Sequence, residues 1–306
     1  MRASVIVPTR NRADRLDACL AALAHQSVPA EQFEILVVDN GSTDGTAARI
    51  ARWSELRPGL RRVDEPAAGV SRARNAGIAA ARGELLAFID DDAMAEPRWL
   101  ALLLGAYDRF PRVGAACGRA RLRLERRPPS WYGGYSESWY SAMDFGPTAR
   151  LLLDPNEVPW SLNLSVRASL AREIGGFPEE LGRVDGNLNS GEEFPFISGV
   201  RAAGFHVAYE PEAVVWHAVP AERLRLRWLV RRAWVEGRTI AVRNKTEGVE
   251  PMNALHATVA VTCKEWMSFG RRLQRSPSTR EVLAAELARR AFGAGRVWSA
   301  ITDTSP

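Results

Sequence analysis

The run Glu84-Leu85-Leu86-Ala87-Phe88-Ile89-Asp90-Asp91-Asp92 constrains this chain more than any other stretch. Five apolar residues, preceded by Gly83 and Glu84, pass directly into three carboxylates. A short continuous apolar run of this kind predicts a strand buried in an α/β sheet. The carboxylates then stand at its C-terminal end, where open α/β sheets bind ligands. Three adjacent negative charges repel one another, and a divalent cation is what makes them tolerable in one place. Alternation along a strand predicts Asp90 and Asp92 on one face. Hard oxygen ligands there suit Mg²⁺ or Mn²⁺, with phosphate oxygens completing the shell. A blander reading makes Asp92 the N-cap of a helix over residues 93–104, with Pro97 in its first turn. That accounts for one carboxylate and leaves two unexplained.

The residues before this run alternate between the two periods. Ser4 to Pro8 reads as a first strand, Arg12 to Leu23 as a helix with Leu16, Leu20 and Leu23 on one stripe, and Phe33 to Asp39 as a second strand. Asn40-Gly41-Ser42-Thr43-Asp44-Gly45 is a turn rich in capping residues that opens a helix through Trp53. Arg61 to Asp64 gives a third strand, Gly69 to Ala81 a third helix, and Glu84 to Asp90 the fourth strand. Repeated βα units with short loops imply an α/β fold with a doubly wound, mostly parallel sheet. No G-x-G-x-x-G follows the first strand and no G-x-x-x-x-G-K-[ST] occurs, which counts against a dinucleotide-binding dehydrogenase and a P-loop NTPase. Asp39, at the end of the second strand, can accept a hydrogen bond from an imide N–H such as that of uracil or thymine; capping its own turn is the simpler role. Arg72 and Arg74, early in the third helix, can reach a diphosphate; solvated surface is their simpler role.

In combination these segments resemble a known family. Val5-Ile6-Val7-Pro8-Thr9-Arg10-Asn11-Arg12, Val37-Val38-Asp39-Asn40-Gly41-Ser42-Thr43-Asp44, Ala73-Arg74-Asn75-Ala76-Gly77 and Phe88-Ile89-Asp90-Asp91-Asp92 are similar, in order and spacing, to the family 2 glycosyltransferases. The resemblance is close over the first ~110 residues and looser to about residue 240. It implies the GT-A fold and an inverting enzyme that uses a nucleotide-diphosphate sugar with Mn²⁺ or Mg²⁺. It implies that Pro8, Thr9, Arg10 and Arg12 line the nucleotide pocket, that Asp39 holds the base, and that Arg72 or Arg74 meets the phosphates. Asp90 and Asp92 would form the Asp-x-Asp motif, with Asp92 the direct metal ligand and Asp91 near the ribose.

The middle of the chain changes character. Val113 to Leu124 reads as extended. Residues 125–158 carry Pro or Gly at positions that include 128, 129, 133, 134, 147 and 155, with Trp131, Tyr132, Tyr135, Trp139 and Tyr140 among them. A long aromatic loop is an acceptor-side flap or a satellite hydrophobic cluster, and the sequence weights the two equally. Pro159-Trp160-Ser161-Leu162-Asn163 resembles the family segment beside the acceptor pocket, making Trp160 and Asn163 candidate acceptor contacts, with a structural role for Asn163 equally open. The family often has Gly where Ser161 stands, a change that narrows the sugar site. Inversion at an anomeric carbon needs a base on the acceptor hydroxyl. The family commonly has Glu-Asp where Gly191-Glu192-Glu193-Phe194 stands, so the role falls to Glu193, with Glu192 behind it. Two acidic residues in the first turn of a helix are the structural alternative. A later Arg common in the family is replaced by Ser198-Gly199, with only Arg201 nearby. His217, after Val214-Val215-Trp216, completes the metal shell in the resembling enzymes, and imidazole suits Mn²⁺.

Beyond Pro220 the sequence reads as helices. Residues 222–238 interleave Leu, Trp and Val with Arg223, Arg225, Arg227, Arg231, Arg232 and Arg238. A basic amphipathic helix lies on an anionic membrane surface or packs on a domain facing phosphorylated ligands. Met252 to Leu273 and Thr279 to Ile301 predict two more helices, with Trp266, Met267 and Phe269 as docking residues. The net charge of +5 and pI of about 9.5 fit such partners, but no recognition motif supports nucleic acid. Three distant cysteines, Cys19, Cys117 and Cys263, argue against disulfides and zinc and for a reducing cytosol. The early first strand leaves no room for a signal peptide, and no apolar run approaches ~18 residues. The expected organisation is a GT-A catalytic domain over 1–220, divided into nucleotide-sugar (1–110) and acceptor (111–220) halves, and a helical region over 221–306. The expected protein is cytoplasmic, with peripheral contact at the inner membrane face through the basic helices. It moves sugar from a UDP- or dTDP-sugar to a glycan, lipid-linked or small-molecule acceptor. A sugar nucleotidyltransferase, a natural-product transferase and a non-catalytic scaffold are the competing readings; the oligomeric state is left open.

Overall fold

The computed structural model describes residues 1–184, 190–246 and 279–302. The chain divides into two compact units. The first comprises Met1–Arg123, Ser141–Gly186 and Glu192–Ala218; the second comprises Leu124–Tyr140, Asn187–Gly191 and Val219–Pro306. The aromatic stretch up to Tyr140, expected with the acceptor half, belongs to the second unit.

The first unit begins as the sequence implies. Strand β1 (Ala3–Thr9), helix α1 (Leu16–Ala24), β2 (Phe33–Asp39), α2 (Thr46–Leu56), β3 (Leu60–Asp64), α3 (Val70–Ala80) and β4 (Leu85–Phe88) follow in order. β1 pairs in parallel with β2 and β4, and β2 with β3. β1 and β2 are buried at every position, as strands covered on both faces must be. Gly83 and Gly77 permit the close packing here. A Cβ on Gly83 would stand 2.3 Å from the Ala3 carbonyl carbon, and one on Gly77 2.5 Å from Ile6.

The second half of the sheet runs antiparallel. It contains β5 (Ala93–Ala95), β6 (Val113–Leu124), β7 (Arg150–Leu151), β8 (Leu164–Arg167) and β9 (His206–Val219). Strand order is β3-β2-β1-β4-β8-β6-β9-β5, with β7 on β9. Helices α4 (Trp99–Arg109), α5 (Ala168–Glu173) and α6 (Glu193–Ala202) complete the unit.

The acidic run differs from both of its readings. The helix that the blander reading starts at residue 93 begins at Trp99; Ala93, Met94 and Ala95 instead pair with His217, Trp216 and Val215. Long-range pairing with β9 overrides the local capping pattern, and Pro97 follows the strand. β4 also stops at Phe88, and Asp90 to Ala93 form a turn closed by the Ala93 N–H on the Asp90 carbonyl at 3.0 Å. Strand alternation therefore does not place Asp90 and Asp92.

In the second unit, α7 (Leu226–Thr246) and α8 (Thr279–Thr302) pack together. Trp131 and Trp139 pack with Leu229, Ala233 and Ala288, and Tyr140 stacks on Trp228 at 5.1 Å. Of the two readings of the aromatic loop, the satellite cluster describes these residues. The helix expected over 252–273 lies outside the described residues. Among those described, no helix is long and apolar enough to cross a membrane.

Candidate active site

Strands β1 and β2 each bring a buried polar group to the C-terminal edge of the sheet. From β1 comes Thr9, next to buried Pro8. From β2 comes Asp39, buried, whose Oδ1 accepts the Ser42 N–H at 3.0 Å. Its Oδ2 lies 3.0 Å from Arg62 yet takes no hydrogen bond. The turn-capping role is thus real, and the other carboxylate oxygen is buried in the ion pair with Arg62. Arg10 donates to the Asn40 carbonyl at 2.8 Å, and the Arg12 backbone N–H donates to Thr46 Oγ1 at 3.0 Å. Asn40 ties the loops together, donating to the carbonyls of Glu65 and Ala67 and accepting the Gly69 N–H.

From the turn after β4 come the three carboxylates, each turned to a different partner. Asp90 Oδ1 receives Arg74 Nη2 at 3.2 Å. Asp91 Oδ2 accepts the Thr9 hydroxyl at 2.7 Å. Asp92 Oδ1 stands 3.3 Å from His217 Nε2. Divergence relieves part of the repulsion, but not all. Burial, and then Asp92 beside it, push the Asp91 carboxyl up to about 7, against the opposing pull of Arg12 and Thr9. Beneath the turn, Cys19 Sγ lies 3.6 Å from the Asp90 carbonyl oxygen, its thiol pushed up by burial and by the same three charges.

Asp92 and His217 meet because Ala93 pairs with His217 across β5 and β9. Both side chains are largely buried. An octahedral cation with donors at about 2.1 Å places adjacent donor atoms about 3 Å apart, close to the Nε2–Oδ1 distance. Among the described residues no group of three or more His, Cys, Asp and Glu forms a metal cage. The pair fits a cation that takes its remaining ligands from phosphate and water, the habit of Mg²⁺ at phosphate sites.

Arg74 does not face outward as a phosphate ligand. It is buried, donating to Glu192 Oε1 at 2.7 Å through Nη1 and to Asp90 through Nη2, with its guanidinium 5.4 Å from the Phe177 ring. Arg72 is half-exposed and paired with Glu179 at 2.7 Å. Arg74 thereby joins the acidic turn to the start of α6. There Glu193 is buried, and Ser161 donates to its Oε1 twice, through N–H at 3.1 Å and Oγ at 2.6 Å. Burial, then the neighbouring Glu192, push the Glu193 carboxyl up to about 7, while Arg74 and the Ser161 hydrogen bonds pull it down. Glu192 Oε2 and Arg74 Nε are buried without hydrogen bonds.

Trp160 is half-buried, its ring 6.3 Å from Phe194 and edge-on to it, so it flanks the start of α6. Asn163 is fully buried and fully used. Its Oδ1 accepts Trp99 Nε1 at 2.8 Å, and its Nδ2 donates to the carbonyls of Arg119 and Ala213. Of its two expected roles, the structure supplies the structural one. Arg201 likewise binds loop carbonyls, those of Asp154, Pro155 and Glu157.

The sequence matches the description "Glycosyl transferase family 2" over residues 4–175, more than half of the chain. The chain belongs to that family. Among its relatives are "Glycosyltransferase AglE" of Haloferax volcanii, 27% identical over 215 residues, covering 70% of this chain and 66% of the relative. The "Succinoglycan biosynthesis protein ExoM" of Rhizobium meliloti is 29% identical over 232 residues, covering 74% and 71%. The chain thus spans about two thirds of the first of these curated relatives. Among solved structures, the mannosyltransferase PcManGT from Pyrobaculum calidifontis, in complex with GDP-Man and Mn²⁺, superposes with a TM-score of 0.64 at 23% identity, covering 97% of this chain and 87% of that one. The fold of this family 2 chain is accordingly the GT-A fold.

Two features of this family 2 site escaped sequence reasoning. Ser161 was visible only as a departure from Gly, not as the residue that holds Glu193. The Asp90–Arg74–Glu192 bridge joins residues 16 and 118 positions apart, a pairing that no local pattern encodes.

Proposed function

We propose that this chain is an inverting, metal-dependent glycosyltransferase that moves a sugar from a UDP- or dTDP-sugar to an acceptor hydroxyl. The observation that carries this reading is the Arg74 bridge, because it holds the acidic turn and the base helix within one guanidinium's span. A donor diphosphate at the turn and an acceptor hydroxyl at Glu193 are then neighbours.

In this reading Asp39 receives the imide N–H of the base on Oδ2, which in the free protein is ion-paired with Arg62. Asp92 and His217, with Asp90 alongside, would hold Mn²⁺ or Mg²⁺, which would supply Lewis-acid stabilisation of charge on the departing diphosphate. Glu193 takes the acceptor hydroxyl proton as that oxygen bonds to C1. The C1–O bond to phosphate breaks on the opposite face, and the nucleoside diphosphate leaves with the electron pair. A base whose pKa lies near the working pH is efficient, and about 7 meets that condition. Arg74 orients Glu192 through its hydrogen bond rather than touching phosphate. Trp160 offers an apolar face beside the base for an acceptor ring.

A cell-surface or lipid-linked glycan is the proposed acceptor class, in keeping with the succinoglycan role in the name of one relative; a small-molecule natural product is the second. The buried thiols Cys19 and Cys117 agree with a cytosolic setting. Calorimetric titration of UDP, dTDP and GDP, with Mn²⁺ and with chelator, tests the reading. GDP belongs in the set because a fold relative was solved with GDP-Man. Binding that requires metal and disappears in Asp92→Ala supports it. Folded protein that binds no nucleoside diphosphate with metal present refutes it in favour of a scaffold. Release of pyrophosphate instead of nucleoside diphosphate would mark a nucleotidyltransferase.

A further inference from the structure

Among the described residues, the helical unit has one completed side and one open side. On the completed side, Leu229 and Ala233 of α7 pack on Ala288 of α8. Gly237 and Gly295 let the helices touch; a Cβ on either would stand about 2 Å from the facing backbone carbonyl oxygen, at 2.0 and 2.1 Å. The arginine on this side, Arg232, is buried and paired with Glu236 at 2.5 Å.

The open side is built differently. Leu226, Arg227, Val230, Arg231, Trp234 and Ala291 line an open groove of about 540 Å³. Arg225, Arg227 and Arg231 are exposed, and none of the three is in an ion pair among the described residues. On α8, Leu283, Leu287 and Trp298 are 46%, 47% and 53% exposed, where buried apolar residues would be expected. Apolar side chains between unpaired cations on one helical face are the composition of an interfacial helix, one that lies in the plane of a bilayer surface.

We propose that this face of the helical unit rests on an anionic lipid surface. Arg225, Arg227 and Arg231 meet headgroup phosphates, and the groove along Leu226, Val230 and Trp234 receives the upper acyl chain. The cations decide against a second copy of this chain, since two such faces would set three unpaired arginines against three. The apolar floor decides against a purely electrostatic contact. The proposal stands apart from the transfer reaction, because no residue in it belongs to the catalytic site.

The test is sedimentation of the full-length protein with vesicles of phosphatidylcholine, alone or mixed with phosphatidylglycerol. Binding is expected to the mixed vesicles only and to weaken with salt. The double variant R227Q/R231Q should partition on the order of 30-fold less, about fivefold per arginine. V230D, which places a carboxylate in the groove floor, should lose binding with all arginines present. Metal-dependent nucleotide titration of the variants checks that the catalytic unit is intact, and circular dichroism melting checks the helices. Equal binding to both vesicle types, binding to neither, or undiminished binding of R227Q/R231Q overturns the proposal. A concentration-dependent dimer disrupted by the same substitutions also overturns it and assigns the face to a second copy.

Discussion

Ser161 and Asn163 stand two residues apart on one short turn, yet they belong to opposite kinds of buried polar cluster. Around Asn163 every hydrogen-bonding group is neutral and paired: Trp99 Nε1 and the carbonyls of Arg119 and Ala213. Beyond Ser161 lie Glu193, Glu192, Arg74 and Asp90, all ionisable, with Glu192 Oε2 and Arg74 Nε left without hydrogen bonds. A satisfied neutral cluster rigidifies a fold, whereas a charged, incompletely satisfied one holds free energy that a ligand or a proton can release. The contrast separates a cluster that clamps the antiparallel half of the sheet from one that links α6 to the acidic turn after β4.

Substitutions can sharpen or break this contrast. The largest effect is expected on turnover: Glu193→Gln should lower it by roughly 10²–10⁴-fold while leaving nucleoside diphosphate binding unchanged. Steady-state kinetics beside calorimetry reads both. Next is stability: Asn163→Ala leaves three buried groups unpaired and should cost about 3 kcal/mol or more by urea denaturation. A loss under 1 kcal/mol would mean that the cluster is not the clamp its geometry implies.

Glu193→Gln should act on stability in the opposite direction. In the folded protein Glu193 titrates near 7 rather than 4.5. Between those values the native state binds more protons than the unfolded state, so stability falls as pH rises through the window. The Gln variant escapes this fall. It should be more stable than the parent at pH 8, on the order of 2 kcal/mol, with the difference vanishing toward pH 4. Equal stability at both pH values would mean that Glu193 is not held against ionisation.

Smaller still is the effect of Ser161→Ala. Two hydrogen bonds to Glu193 Oε1 favour its ionised form, and the hydroxyl supplies one of them. Its removal should shift the acid limb of the pH–rate profile upward by roughly one unit, with little change at high pH. A uniform loss of rate across pH would indicate a steric role instead. The exposed pair Arg72–Glu179 offers the smallest effect: Glu179→Gln should change stability by less than about 0.5 kcal/mol.

Legibility followed the same division. The parallel half was read from the sequence because each βα unit is local, with apolar runs such as Ile35–Val38 and the stripe of Leu16, Leu20 and Leu23 carrying period and length. Asp39, Asp92, Glu193 and His217 were singled out by motif, and the structure sets Asp92 3.3 Å from His217. What was not legible depends on distant partners. Ala93–Ala95 became a strand because β9 lies beside it. Asn163 became a clamp because Trp99, Arg119 and Ala213 converge on it. Arg74 turned inward because Asp90 and Glu192 flank it on both sides. The aromatic loop could not be assigned from composition, since Trp139 and Tyr140 would serve a sugar or a helix pair equally well.

The most direct test of the account is a paired measurement on Glu193→Gln and Asp92→Ala: metal-dependent nucleoside diphosphate binding, and sugar transfer or donor hydrolysis. The account predicts that Glu193→Gln binds like the parent and does not turn over, and that Asp92→Ala loses metal-dependent binding itself. Parental turnover in Glu193→Gln would contradict the assignment of the base and, with it, the division between the two clusters.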